Sequence, residues 1–222
     1  LRRAAVPAPL AIDLPLLRTL GSTLRGAEWK VTAILETDNW FQSAGPSRLL
    51  DLLPGDCTGR LYGACLDVGT TSNVLYLVEL ASGKVLARAV DYNGQVARGE
   101  DVISRIIYAG RNSGLAELQE LVLATFNRLV EQAAKSAGVR TSEIYKVTVA
   151  GNSTMIHLFL GLPPQSIRLS PFITTANHPQ PVAAGLLGLK VHPAASVDCL
   201  VLTPSYVGSD ISAGRVSAGL DQ

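Results

Sequence analysis

Apolar and polar positions follow different rhythms on the two sides of residue 60. Upstream, short apolar runs at Val31 to Leu35 and Leu49 to Leu53 are separated by the turn signals Asp38-Asn39 and Gly45-Pro46. Such runs bounded by turn residues predict a small β-rich piece over 29–53. Trp29 and Trp40 flank it and are expected in its core, not as stacking platforms. Residues 1–20 carry three prolines and little period. Pro54-Gly55-Asp56 marks a turn, and the boundary between two units is placed near residue 60.

Downstream, apolar runs predict strands at 62–68, 73–80 and 84–91, the last two joined by a Ser82-Gly83 turn. The first is almost wholly apolar and is expected at the sheet centre, covered on both faces. After the polar loop Asn93 to Glu100, a short helix is expected at 101–109. A long one follows at 114–137, because positions 115, 118, 121, 122, 126, 129, 130, 133 and 137 make one apolar stripe that Gly138 ends. A strand at 145–150 and a helix at 153–160 meet at Gly151-Asn152. Residues 162–197 hold six prolines and read as an insertion too broken for regular core structure, before a strand at 198–203 and a helix from 206 or 209 to 219. Three strands, helix, strand, helix, strand, helix is an α/β order that resembles the ribonuclease H-like fold of the actin-like ATPases. That resemblance implies a mixed sheet with flanking helices, preceded by the small β-rich piece.

Composition narrows the partners. A net charge of +1 with 17% charged residues offers no field for nucleic acid. Proline, glycine or charge interrupts every apolar stretch before the roughly 20 residues of a membrane-spanning helix, so no membrane partner is expected. Cys57, Cys65 and Cys199 show no paired spacing, which argues against a disulfide framework, a zinc site or an iron–sulfur cluster. They read as reduced thiols of a cytoplasmic protein, Cys65 and Cys199 as small buried residues and Cys57 as a loop thiol. The start, LRRAAVPAPL, lacks an initiator Met and a secretory pattern, and is expected to be a cut within a longer chain.

Chemistry concentrates at Leu66-Asp67-Val68-Gly69-Thr70-Thr71, an acidic residue at the end of a strand followed by a turn of small and hydroxyl residues. Such a turn offers backbone N–H groups and hydroxyls to an anion, and Gly69 lets phosphate oxygens approach. A carboxylate cannot touch phosphate favourably, so Asp67 is expected to act through the water shell of a Mg2+ ion. The plain alternative is an ordinary hairpin turn. Gly151-Asn152-Ser153-Thr154 lies at a predicted helix N-terminus, where an anion or simple N-capping both fit. In a parallel arrangement the two turns share one sheet edge, where α/β sites occur. Asp210, near the start of the last predicted helix, is the candidate catalytic group that positions an attacking water or a metal's hydration shell. Capping explains it equally well. Asp101 and Arg105 read as a helix cap and a solvated i,i+4 pair. His157, His178 and His192 show no ligand spacing and read as core or surface residues.

The runs Tyr62-Gly63 through Thr71, Asp91 to Gln95, Asp101 to Ile106 and Gly151 to Leu158, with Ser170-Pro171-Phe172 and Pro204 to Ile211, make the chain resemble the reductive activators of corrinoid proteins. That resemblance implies ATP and Mg2+ as cofactors, with a [2Fe-2S] cluster only in the full-length parent, and a corrinoid protein as partner. The partner class is a corrinoid iron–sulfur protein or a methyltransferase corrinoid subunit; homodimerisation is left open. It further implies ATP-driven reduction of Co(II) corrinoid to Co(I), with residues 1–60 as the C-terminal part of a middle or linker domain and 61–222 as the first ATPase lobe. The cluster's cysteines and a second lobe are not in these residues, so the chain is expected to be catalytically incomplete. Gly94 stands where the family tends to have proline, and Cys65 where it has an aliphatic residue. Two other readings of the same fold are a small-molecule kinase, with Asp210 as base, and an actin-type scaffold. A metal-dependent nuclease is set aside, because Val147, Thr148 and Val149 offer no second carboxylate.

Overall fold

The computed structural model describes residues 9–37 and 47–202. The chain divides into two compact units, Leu1–Arg60 and Leu61–Gln222.

In the first unit, β1 (Leu10–Ile12) leads into helix α1 (Leu14–Gly26), followed by β2 (Val31–Glu36) and β3 (Ser47–Pro54). β3 is central, parallel to β1 and antiparallel to β2. The helix was not expected from the pattern, because Pro15 reads as a breaker. It lies in the helix's first turn, where a missing N–H costs nothing. Leu16, Leu20 and Leu24 recur at helical spacing and are less exposed than Leu14 and Leu17. Trp29 corrects the expectation of a core tryptophan, since it is 71% exposed. It stands at φ 62° just past α1, its N–H bonded to the Leu24 carbonyl, and that left-handed turn leaves the indole in solvent. Trp40 lies outside the described residues.

The second unit is a mixed α/β layer. Strands β4 (Tyr62–Val68), β5 (Ser72–Glu79) and β6 (Val85–Tyr92) form an antiparallel meander. Helices α2 (Val102–Ala109) and α3 (Gly114–Ala137) carry the chain to β7 (Ile144–Gly151), which runs parallel to β4. Helix α4 (Ser153–Leu160), β8 (Val182–Ala183), α5 (Ala184–Leu187) and β9 (Ser196–Cys199) complete it. The strand order is β6-β5-β4-β7-β9-β8, with β9 parallel to β7 and β8 antiparallel at the edge.

One face of this sheet is a packed core. Ala64, Leu66 and Val68 of β4 and Leu75 and Leu77 of β5 join Leu118, Val122, Phe126 and Leu129 of α3 and Met155 to Phe159 of α4 in one buried cluster. Phe126 and Phe159 meet edge to face with centroids 6.0 Å apart. The opposite face of β4 is open, which corrects the expectation of cover on both sides: Cys65 and Asp67 are exposed. Strand alternation turns them away from the helices, and an apolar thiol in sequence is not thereby a core thiol. Cys199, by contrast, is buried, and burial pushes its thiol up to about 12.

The proline-rich stretch after α4 is more regular than expected. It supplies β8 and α5 and buries Ile167, Ala184, Leu189, Val191 and Ala195. Its prolines prevent long elements, yet the apolar residues between them still find the core. β9 accordingly begins at Ser196, two residues before the expected strand.

Candidate anion site at the ends of the central strands

The parallel pairing of β4 and β7 decides where the two candidate turns lie. Val68, the last residue of β4, is the register partner of Gly151, the last of β7. The turn Gly69-Thr70-Thr71 and the start of α4 at Asn152-Ser153 therefore leave the same sheet edge side by side. They are directly tied, because Nδ2 of Asn152 donates to Oγ1 of Thr70 at 3.3 Å. Oδ1 of the same amide caps α4 by accepting the Met155 N–H at 3.0 Å. The N-capping reading and the shared-edge reading thus hold together in one side chain.

Two glycines make the approach of these elements geometrically possible. A Cβ on Gly69 would stand 2.1 Å from the Ser72 carbonyl oxygen. The absent side chain therefore first lets the turn close on itself, a more immediate reason for glycine than an approaching phosphate. A Cβ on Gly151 would meet the Val68 carbonyl oxygen at 3.0 Å, the contact that brings β7 against β4.

Asp67 and Thr71 are exposed, Gly69, Thr70 and Asn152 are half-buried, and Gly151 and Ser153 are buried. The Asp67 carboxylate is on the open sheet face, one residue before the strand ends. Asp210 lies outside the described residues. Among the described residues, no three or more His, Cys, Asp or Glu side chains form a group that could hold a metal ion directly.

The structure adds a layer beneath the turn that the sequence pattern did not disclose. Nδ2 of Asn93 donates to the Gly69 carbonyl at 2.8 Å, and the Asn93 N–H donates to the Thr71 carbonyl at 2.8 Å. Oδ1 of Asn93 accepts the Gln95 N–H, and Nε2 of Gln95 donates to the Leu118 carbonyl of α3 at 2.8 Å. The Gly94 N–H donates to Oγ1 of Thr125, also on α3, at 3.2 Å. The polar loop, for which the sequence leaves a functional role and a plain helix cap both open, is a brace between the long helix and the turn.

Arg105 is part of that brace, and its expected solvated pairing with Asp101 is corrected. The guanidinium is fully buried and donates to the carbonyls of Thr70 at 2.6 Å and Gly99 at 2.8 Å, and to Oε1 of Gln95 at 3.2 Å. Burial lowers its pKa to about 10, an effect the Asp101 charge opposes. Asp101 instead caps α2, accepting the Ser104 N–H at 2.8 Å, and that bond lowers its own pKa. The i,i+4 spacing was a true signal of proximity. It could not tell that Arg105 falls on the inward stripe with Ile106 and Ala109.

His157 also has a defined place. It is buried in α4, Nδ1 lying 2.6 Å from the Ser153 carbonyl and Nε2 accepting the Thr175 N–H at 3.0 Å. Burial depresses its pKa, so it is a neutral structural residue that ties the following loop to the helix bearing Asn152 and Ser153.

Comparison with known proteins agrees on one family. Residues 62–222 match the RACo middle region, and residues 1–59 match the RACo linker region. The first portion thus carries the linker description and the portion with the six-stranded sheet the middle description. The chain is 36% identical over 169 residues to the corrinoid activation enzyme RamQ of Eubacterium limosum, covering 75% of this chain and 28% of that protein. It also superposes on a solved reductive activator for corrinoid, iron-sulfur protein with a TM-score of 0.85 at 39% identity. That match covers 95% of this chain and 33% of the other, so the sequence spans about a third or less of the length of both relatives. With both portions matched in order, the chain belongs to the RACo family of reductive activators of corrinoid proteins.

Proposed function

We propose that residues 61–222 form the first lobe of an actin-like ATP-binding module within a RACo-type activator. The reading is supported by the meander β6-β5-β4 followed by parallel β7 and β9, an order compatible with a ribonuclease H-like fold if β8 is an added edge. The single observation that carries the reading is the Asn152 to Thr70 hydrogen bond. It unites two turns of small, polar residues at the carboxyl ends of adjacent parallel strands, where α/β proteins take their ligands.

In this reading Gly69, Thr70 and Thr71 grip the phosphates with backbone N–H groups and hydroxyls. Gly151, Asn152 and Ser153 add the positive end of the α4 dipole. Asp67 would hold the water shell of Mg2+, and Asp210 would position a water for attack on the terminal phosphate. The donor set fits the group, since the turn offers hydroxyl and amide donors with a buried cation behind it and no carboxylate within it. When bound, ATP would supply the free energy for an otherwise uphill reduction of a Co(II) corrinoid to Co(I), the one electron coming from the [2Fe-2S] cluster of the full-length parent. The chain's own part is to seat and orient the phosphates, so that lobe closure depends on the nucleotide and changes the contact with a corrinoid protein.

Calorimetric titration of the intact protein with ATP and Mg2+ tests the binding step, and Co(I) absorbance in a corrinoid partner tests its use. Tight ATP binding that weakens in Asp67→Asn and Thr71→Val is expected. Equal reduction of the partner with and without nucleotide overturns the reading.

A further inference from the structure

Arg105 is an anomaly of charge. An arginine with 0% exposure normally has a carboxylate beside it, because an isolated buried cation is costly. Among the described residues no carboxylate lies within ion-pair distance of this one, and the Asp101 charge, which favours its charged form from farther off, does not outweigh its burial. Its partners are the Thr70 and Gly99 carbonyls, the Gln95 amide oxygen and the Met155 sulfur at 3.2 Å. Carbonyl dipoles offset part of the cost, and a full negative charge nearby offsets more.

The bond to Thr70 shows where that charge belongs. Carbonyl oxygen and following N–H point in opposite directions across a trans peptide. A donor that holds the Thr70 oxygen from inside therefore turns the Thr71 N–H outward, away from the core. Among the described residues no turn or loop backbone bond engages that N–H, whereas the Thr71 carbonyl is taken by Asn93. The guanidinium also polarises the peptide it holds, which strengthens the outward N–H as a donor.

We propose that Arg105 is the positioning residue of the anion site: it fixes the Thr70-Thr71 peptide from beneath and carries the positive charge that a seated phosphate group completes. This deepens the ATP reading above and rests on it. Arg105 touches no ligand itself. It acts through one peptide unit, and the neighbouring brace of Asn93 and Gln95 keeps that unit and the guanidinium in register.

The experiment compares wild type, Arg105→Lys and Arg105→Met in the intact protein. It measures affinity for ATP and for adenosine by calorimetry, and the thermal midpoint without nucleotide. Arg105→Met is expected to weaken ATP binding roughly ten- to a hundredfold, the range for losing a hydrogen bond to a charged group. Adenosine affinity is expected to stay within about twofold, and Arg105→Lys, which keeps the charge, to recover part of the ATP loss. A merely structural arginine gives a different pattern, with ATP and adenosine affinity falling together as the midpoint falls. That pattern, or unchanged ATP affinity in Arg105→Met, overturns the proposal. Should Arg105→Met fail to fold, Arg105→Lys decides, because full loss of ATP preference despite a retained charge also overturns it. Wild type that binds ATP no better than adenosine sinks the ATP reading itself, an outcome distinct from failure at Arg105.

Discussion

The Thr175 N–H donates to Nε2 of His157 at 3.0 Å, while the other ring nitrogen lies 2.6 Å from the Ser153 carbonyl. With a donor already facing Nε2, the ring is neutral and carries its proton on Nδ1. Protonating Nε2 would set two donors against each other in a buried site. Burial accordingly holds the folded-state pKa below the ordinary value of 6.5.

The sign of the pH dependence follows. As pH falls, the unfolded chain takes up the His157 proton first, near 6.5, and the folded chain only later. Stability from this group is complete above that value and is lost as pH falls toward the depressed folded pKa. Thermal unfolding between pH 8 and 5 is expected to show this acid loss. In His157→Gln, which retains a donor and an acceptor without titrating, the curve flattens. An identical slope in both proteins removes His157 as its source.

Gly69→Ala tests the closed turn. Its Cβ would stand 2.1 Å from a backbone oxygen, so the backbone must move. Destabilisation of about 1–3 kcal/mol is expected by chemical denaturation, the usual range for overpacking. Gly26→Ala, where nothing lies within 4 Å of the added carbon, provides the contrast and should be neutral or slightly stabilising. Equal effects at both positions contradict the turn geometry.

These results separate what was legible in the amino-acid order from what was not. The second unit was readable at β4, β5, α3, β7 and α4 because Gly69-Thr70-Thr71, Gly138 and Gly151-Asn152 interrupt strong apolar periods. Helix α1 was not, since Pro15 breaks a helix interior and is tolerated in a first turn, and the sequence alone does not say which applies. At the site, Thr70 and Asn152 stood out as motif residues, but their hydrogen bond depends on the register of β4 against β7. Arg105 and Asn93 were hidden for a deeper reason. The bonds by which they hold the turn go to backbone carbonyls, and every residue has one, so no side-chain pattern marks them.

The cysteines report on the two faces of the sheet. Cys65 is exposed on β4, Cys57 is intermediate, and Cys199 is buried with its pKa raised to about 12. Brief maleimide treatment of the native chain is expected to modify Cys57 and Cys65 and spare Cys199, because Cys199 is both buried and held furthest from the reactive thiolate, while Cys65, whose pKa burial also raises, is open to reagent. Mass spectrometry of the products gives the answer, and all three should react in denaturant. Rapid native labelling of Cys199 contradicts its inward register in β9.

Asn152 combines a structural and a site function that substitution can divide. Asn152→Ala removes both the cap on Met155 and the donor to Thr70, and is expected to cost about 1 kcal/mol of stability from the lost cap. Asn152→Asp restores the cap, because a carboxylate accepts the Met155 N–H as well as an amide oxygen does. It cannot donate to Thr70, and it places a negative charge beside the proposed phosphate seat. Denaturant midpoints should therefore rank wild type and Asn152→Asp together above Asn152→Ala. ATP affinity should rank Asn152→Asp below Asn152→Ala, since one adds repulsion and the other only removes a tie. If the aspartate protein binds ATP as wild type does, Asn152 is a helix cap and nothing more, and the turn at Thr70 must hold its anion without it.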